Sequence, residues 1–571
     1  MRLLLLVSSI IVSFVSGDHS QPDTWSATDG LGRALVSHDE VGDIKSNKFV
    51  GIFYFLWNEG SKPGPFDVTK ILQQSGGDII NAQWGPLYTF HHWSKPYFDY
   101  YLQDDEFVIR KHAQMLADAG IDTLIYDVTN GYTYDNIWAK IGDVFTDMRA
   151  QGIKVPQFTF IAWTNGAQTV QHLYNVLYSQ NRYSDLWFRW NGKPLLFADF
   201  DGLSQQLKDF FTVRKSWAWT GPDGWYGNGN GRWPWIDNYP QGLGKNEWGQ
   251  TEQTCVAIGG HPTSNLGRSY DGPTQTQPAQ SNANVGHYFQ QQWDRALQID
   301  PSFIFVTGWN EWIAQRFVQT NELNIPFLGK HWPIGTSYFV DQFDQEFSRD
   351  AEPMAGGHGD NYYYQLVNYI RKFKGVRRPE LPTGPKTITI NQDFSQWQGV
   401  GPHYTDDLWD IPSRNHPQYG AQHVQLTDYS QKNDLAVMQV ARDSSNLYFY
   451  ARSTRPWTNG NQYVWLYLNT DNNYNTGWYG FDYVVDVGDS RLKKNGGGGF
   501  WFNQESIHVV NSGDNELHFA IPHLALNIRS PINLKFKWFS ADQLYGDAMY
   551  FIDKGDSAPN GRFTYSYQAD F

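Results

Sequence analysis

The stretch FIFVTGWNEWIAQRF, residues 303–317, runs apolar and β-branched residues into Gly308 and then presents Trp309, Asn310, Glu311 and Trp312 together. A carboxyl group set among indoles at the end of a buried strand is desolvated, which raises its pKa and makes it a proton donor near neutral pH. Such an acid can protonate a departing glycosidic oxygen. The competing role is structural: a carboxylate that satisfies backbone amides or Arg316. The chemistry also needs a second carboxylate. Asp127 follows the apolar run TLIY and precedes VTNG, so it suits a nucleophile or base, or equally the cap of the following turn. Asp199 and Asp201 in FADFDG share one strand face because side chains repeat every two residues, and Asp201 beside Gly202 also fits a turn. Asp127 is the preferred partner of Glu311, with Asp201 the alternative and Asp237 in WPWIDNYPQ a further one.

The candidate substrate contacts are His92 and Trp93 in HHW, Trp163 and Asn165 in AWTN, Trp217, Trp219 and Trp235, Asp237, His261 in GGHP, and Trp309 and Asn310. Flat apolar sugar faces stack on indole rings while rim groups bond the hydroxyls. Each of these residues alone is as well explained by packing; gathered at one face they favour a sugar cleft. The composition agrees, with 17% aromatic residues, including 25 Trp and 34 Tyr. A net charge of -14 without basic runs argues against nucleic acid and anionic membrane surfaces as partners. The single Cys255 forms no intramolecular disulfide and reads as a buried inert thiol.

Positioning these groups requires larger elements. Residues 1–17, MRLLLLVSSIIVSFVSG, read as a secretory signal peptide, cleaved near Gly17–Asp18, which predicts a secreted protein without a membrane anchor. Apolar runs at 49–57, 78–85, 122–131, 157–165, 194–202, 254–262 and 303–312 alternate with helical patterns at 105–120, 134–152 and 286–300. With an eighth run near 216–221 they predict an α/β fold, a (β/α)8 TIM-like barrel over 45–375, with a doubly wound sheet as the other option. Asp127, Asn165, Asp201, His261 and Glu311 fall near the C-terminal ends of these runs, which in a barrel is the active-site face. Residues 335–380 read as a helical tail and 376–386 as a linker. From 387 to 571 alternating strands predict an antiparallel β-sandwich able to fold by itself.

The stretches FHHWSKPYFDYY, KHAQMLADAGIDTLIYDVTNG, WPWIDNYPQG and FVTGWNEW resemble the family 71/99-like (WbsX-like) group of glycoside hydrolases over roughly residues 45–375. The resemblance implies a barrel and an endo-acting glycoside hydrolase using strand-end carboxylates and no organic cofactor. The family 99 pattern places a second glutamate three residues after the first; Ala314 stands there in this chain, so the substrate-assisted mechanism of that family does not carry over intact. The pieces ITINQDFSQW, DSSNLYFYARS and LYLNTDNNYNTGWYGFDYVVD resemble family 9 carbohydrate-binding modules over most of 386–571. That implies sugar contacts, with Trp457 and Trp478 as first candidates, and a structural calcium held by the loop around Asp471. The leading expectation is a secreted endo-acting hydrolase of a polysaccharide or oligosaccharide. The rivals are a lectin without turnover, which the missing glutamate favours, a glycosyltransferase on the same barrel, and a surface protein whose aromatic content is structural.

Overall fold

A computed structural model describes residues 20–60, 62–221 and 224–571; the leader read at 1–17 lies outside them. Seven parallel strands form the centre of the first half: β1 (Phe49–Tyr54), β2 (Thr123–Val128), β3 (Gln157–Ala162), β4 (Lys193–Phe197), β5 (Thr212–Arg214), β6 (Thr251–Ala257) and β7 (Phe303–Thr307). They pair in the order β5-β4-β3-β2-β1-β7-β6, so the chain winds outward from β1 on one side and returns to it through β7 on the other. This is a curled half-barrel with its open side between β5 and β6. Parallel bridges from Lys215 to Arg232 and from Ala218 to Ile236 lay segment 232–236 along that opening. Gln253 donates to the Pro234 carbonyl from the other side at 2.8 Å.

Alternation along the strands decides what lies on each side of the sheet. Phe53, Ile125, Ile161, Phe197, Cys255 and Phe305 gather with Trp233 and Trp235 in the cluster on the concave side. Their neighbours Ile52, Tyr54, Leu124, Tyr126, Phe160 and Val306 face the other way, into the helices. Gly51 sits on the concave side, where a Cβ would come within 2.7 Å of Phe303 Cζ, so only glycine lets the rings close there. The outer layer includes α1 (Glu106–Ala119), α2 (Asp135–Ala150), α3 (Gly166–Leu173), α4 (His287–Ile299) and α5 (Asn361–Lys374). In α1, Asp105 caps the first turn by accepting from Phe107 N, and left-handed Gly120 ends the helix.

Three expectations need correction. Residues 78–85 are turn rather than strand, because Asp78 accepts from the backbone of Ile80 and Asn81 and so folds the chain locally. The run near 216–221 makes only the isolated bridge at Ala218, the regular strand lying earlier at Thr212–Arg214. The tail at 335–380 is helical only over Asn361–Lys374; residues 339–352 form a loop whose Arg349 carbonyl accepts from Gly308 N at the end of β7.

Beyond residue 400 two larger antiparallel sheets form beside a two-stranded one of Arg414–Gln418 and Ala421–Asp428. One has five strands, with Leu435–Arg442, Asn446–Ser453 and Glu516–Pro522 at its centre; the other has seven, centred on Val464–Asn469 and Ile532–Ser540. Met438, Phe449 and Phe519 of the first pack with Leu466, Phe536 and Trp538 of the second. Among the described residues no helix is long and apolar enough to cross a membrane.

Candidate active site

Beyond β7 the chain does not leave the sheet freely. Trp309 N donates to the Phe53 carbonyl, and the Asn310 side chain takes over as a surrogate strand. Its Oδ1 accepts from Phe55 N at 2.9 Å while its Nδ2 donates to the Phe55 carbonyl at 3.1 Å. Asn310 is therefore a brace, not a substrate contact. The two indoles beside it point into the outer core. Trp309 meets His112 at 5.5 Å and Trp312 stacks on Trp93 at 4.5 Å. All three tryptophans are fully buried. Trp93 and Trp309, expected at the sugar, instead anchor the loop that carries Glu311.

Glu311 is 2% exposed, and two donors converge on its Oε2: Arg349 Nη2 at 2.6 Å and Gln342 Nε2 at 2.6 Å. The Arg349 guanidinium lies over the Trp235 ring at 5.6 Å, so it is Trp235, not the flanking indoles, that walls this ion pair. Burial pushes the Glu311 carboxyl well above the usual glutamate range, against the pull of Arg349. The negative charges of Asp341, Asp350 and Asp127 push in the same direction as burial. Asp350 is itself buried, accepts from Glu311 N at 2.6 Å and from Trp93 Nε1 at 2.8 Å, and burial raises it to about 7.

Asp127 follows Ile125 by two positions at the end of β2, so it lies on the concave side at the C-terminal edge. It accepts from Thr129 N at 2.9 Å, and burial raises it to about 6. The charges of Asp341 and Arg349 act on it, and its own charge acts on Glu311. Asp127 and Glu311 thus share one electrostatic neighbourhood.

Asp341 belongs to the same group and was not legible as a candidate. Its side chain is 38% exposed, with Oδ1 3.6 Å from His261 Nε2 and 3.9 Å from Arg349 Nη2. Burial works against its charge, but His261 and Arg349 beside it hold its carboxyl below the usual range. The signal was present in DQFDQEFSRDAE, residues 341–352, a run too dense in charge to be the flank of a plain helix. Read as part of a helical tail, it gave no site residue.

Trp163 and Trp217 stack on each other at 4.1 Å and are partly exposed, and Trp219 lies 5.3 Å from the His261 ring. Several other expectations fail. Asp201 is exposed on the short 3-10 turn Phe200–Gly202, which Asp199 caps while pairing with Lys215; it is not among the charges acting on Glu311. Asp237 is saturated: Thr220 N, Asn238 N, Gly242 N and the Thr220 hydroxyl all donate to it, which makes it a loop organiser. His92 is buried between Tyr100 and Tyr419, and burial lowers its pKa to about 3, so it stays neutral and out of reach. Asn165 is an exposed residue in the left-handed region, ahead of α3.

In the C-terminal sheets Trp457 and Trp478 are both 6% exposed, and Trp478 stacks on Tyr467 inside an aromatic cluster. Neither presents a face to a sugar. Asp471 accepts from Asn473 N and the Thr476 hydroxyl, which closes a turn and leaves it outside any acidic cluster found among the described residues.

No family model and no curated protein matches the chain. Solved structures that resemble it include the GH99 endo-alpha-mannosidase from Bacteroides thetaiotaomicron, at 14% identity over 57% of this chain and 97% of that one, with a TM-score of 0.33. The same enzyme in complex with BIS-TRIS-propane gives 14% identity, the same coverage and a TM-score of 0.32. A glycoside hydrolase-like protein matches at 11% identity over 57% of this chain and 95% of that one, with a TM-score of 0.30.

Proposed function

We propose that this chain hydrolyses glycosidic bonds within a polysaccharide, with Glu311 as proton donor and Asp341 as its ionised partner. The observation that carries this reading is a pair of carboxyl groups whose surroundings push them apart. Burial raises Glu311, whereas Asp341, near the same Arg349, is held low. Two carboxyls in opposite protonation states at one pH are what acid-assisted glycoside cleavage needs. Asp127, at about 6, is a second protonatable group at the same edge and completes the trio. Trp163, Trp217 and Trp219 supply ring faces for sugar. Secretion, read from residues 1–17, belongs to this proposal. So does a glycan-binding role for 387–571, resting now on Phe500 and Phe502, which are 72% and 63% exposed on one hairpin.

A lectin without turnover is the second reading. The double tie of Arg349 and Gln342 to one Glu311 oxygen favours it, since a carboxylate so held resists protonation. A panel of reduced polysaccharides incubated with purified protein separates the two. New reducing ends that vanish in Asp341→Asn support hydrolysis; retention of a glycan on an affinity gel without any new ends supports the lectin.

A further inference from the structure

Five aspartates lie buried where the C-terminal sheets meet the first half: Asp406, Asp407 and Asp410 in the TDDLWD stretch, Asp434 after Asn433, and Asp556. All are between 3% and 8% exposed. Three of them, Asp410, Asp434 and Asp556, each offer an oxygen within 4.8 Å of the others. The protein frame holds one oxygen each of Asp410 and Asp556, and both oxygens of Asp434, which accept from Trp409 N at 3.2 and 3.1 Å. Gln114 Nε2 donates to Asp410 Oδ2 at 2.6 Å, Leu435 N to Asp556 Oδ2 at 2.6 Å, and Thr454 Oγ1 to Asp434 Oδ2 at 2.7 Å. Asp410 Oδ1 and Asp556 Oδ1 are left buried with no hydrogen-bond partner. Asp406, on which the charges of Asp556 and Asp410 act, has neither oxygen bonded.

The charges of Lys111 and Lys537 act on Asp410, Asp556 and Asp406, but the protons of both ammonium groups are given to other acceptors. Lys111 Nζ donates to the Asp410 carbonyl and to Gln114, and Lys537 Nζ to the Pro559 carbonyl. Neither forms an ion pair with these carboxylates among the described residues. Several buried carboxylates with unsatisfied oxygens are costly unless a positive charge is coordinated between them. The donors are all hard oxygens, without histidine or cysteine, which disfavours zinc. Ligand oxygens up to 4.8 Å apart fit opposite sides of an ion that takes oxygens at about 2.3–2.6 Å.

We propose that Asp410, Asp434 and Asp556, backed by Asp406, form a calcium site that fastens the C-terminal sheets to α1 of the first half. The fastening runs through Gln114 and Lys111, both on α1, and through Asp407, which accepts from Ser20 Oγ at 2.8 Å. This inference is independent of the hydrolase reading, since none of its residues is among the charges named as acting on Glu311.

The test is a calcium chloride titration of the EDTA-treated, desalted full chain at pH 7.5, followed by calorimetry and by melting temperature. Expected is one bound equivalent, with Tm rising by about 2 °C at calcium a hundredfold above Kd for a chain of this length. The double variant Asp410→Asn/Asp556→Asn should lose calcium affinity at least about a hundredfold, as two charged ligands go. Its calcium-free Tm should equal or exceed that of the wild type, because repulsion between the carboxylates is relieved. No heat and no Tm response in the wild type, or an unchanged response in the variant, would overturn the site. Should the double variant fail to fold, the wild-type titration alone decides. A wild type blind to calcium whose Tm climbs as pH falls from 7.5 to 6 would assign the cluster to shared protons instead.

Discussion

The Glu311–Arg349 pair is fully desolvated, and that governs what substitution does. Glu311→Gln keeps an oxygen for both donors, so the fold should persist while turnover falls at least about a thousandfold through loss of the transferable proton. Arg349→Met is a different perturbation: it removes the donor beside Glu311 and lets burial raise that carboxyl further, so urea unfolding should show a loss of about 1–3 kcal/mol from the lost hydrogen bond. The sign of the pH effect at Asp127 follows from its raised pKa. Its carboxyl moves from 3.8 to about 6 on folding, so its contribution is fully present below about pH 4 and is lost as pH rises through 6. The stability of the wild type relative to Asp127→Asn should therefore fall between pH 4 and 7 in urea melts; a flat difference would mean the carboxyl is solvated. At this scale the sequence marks Glu311 and Asp127 as candidates, because Asp127 follows the apolar run TLIY and Glu311 lies just past the run FIFV. It did not disclose Asp341, Gln342 or Arg349, which reach the site from a loop with no periodicity to mark it. Trp93 and Trp309 were misassigned for a related reason: indoles next to a carboxylate in the chain need not touch it in space.

The elements are more legible in the sequence than the side chains they present to the site. The alternation that puts Ile125 and Phe305 on the concave side and Leu124 and Ile304 outside is visible in any of the apolar runs. The helical spans at 105–120, 134–152 and 286–300 fall within a residue or two of the observed helices. The run at 78–85 misled because its isoleucines are apolar in a segment whose backbone is governed by Asp78 and by left-handed Gly76 and Gly77. What sequence patterns could not convey is how the loop after β7 stays in register, since Asn310 does by side chain what a strand does by backbone. Asn310→Ala leaves Phe55 N and its carbonyl unpaired in the core, at a cost of about 1–3 kcal/mol for each group. Urea titration should show that loss together with reduced turnover. Unchanged stability would mean the loop is held by its tryptophans alone.

At the scale of the whole molecule the surprise is the seam. Arg414 pairs with Asp105 at 2.8 Å, Asn560 donates to Asp118 at 3.0 Å, and the Tyr97 hydroxyl donates to Asp553 at 2.6 Å. These partners lie hundreds of residues apart, so a composition that reads 376–386 as a linker does not show that the segments beside it share buried polar contacts. Such contacts are costly to open singly, and the full chain should unfold in one calorimetric transition rather than the two that a free C-terminal unit would give. Two well-separated transitions would mean that the seam is weak. The central claim concerns the edge of the half-barrel, where Glu311 and Asp341 lie near one Arg349. Its most direct test is the rate at which reducing ends form on a responsive polysaccharide, compared between wild type and Glu311→Gln at equal glycan binding. Turnover lost with binding kept is the expected result; equal turnover in both would contradict the assignment of Glu311 as the acid.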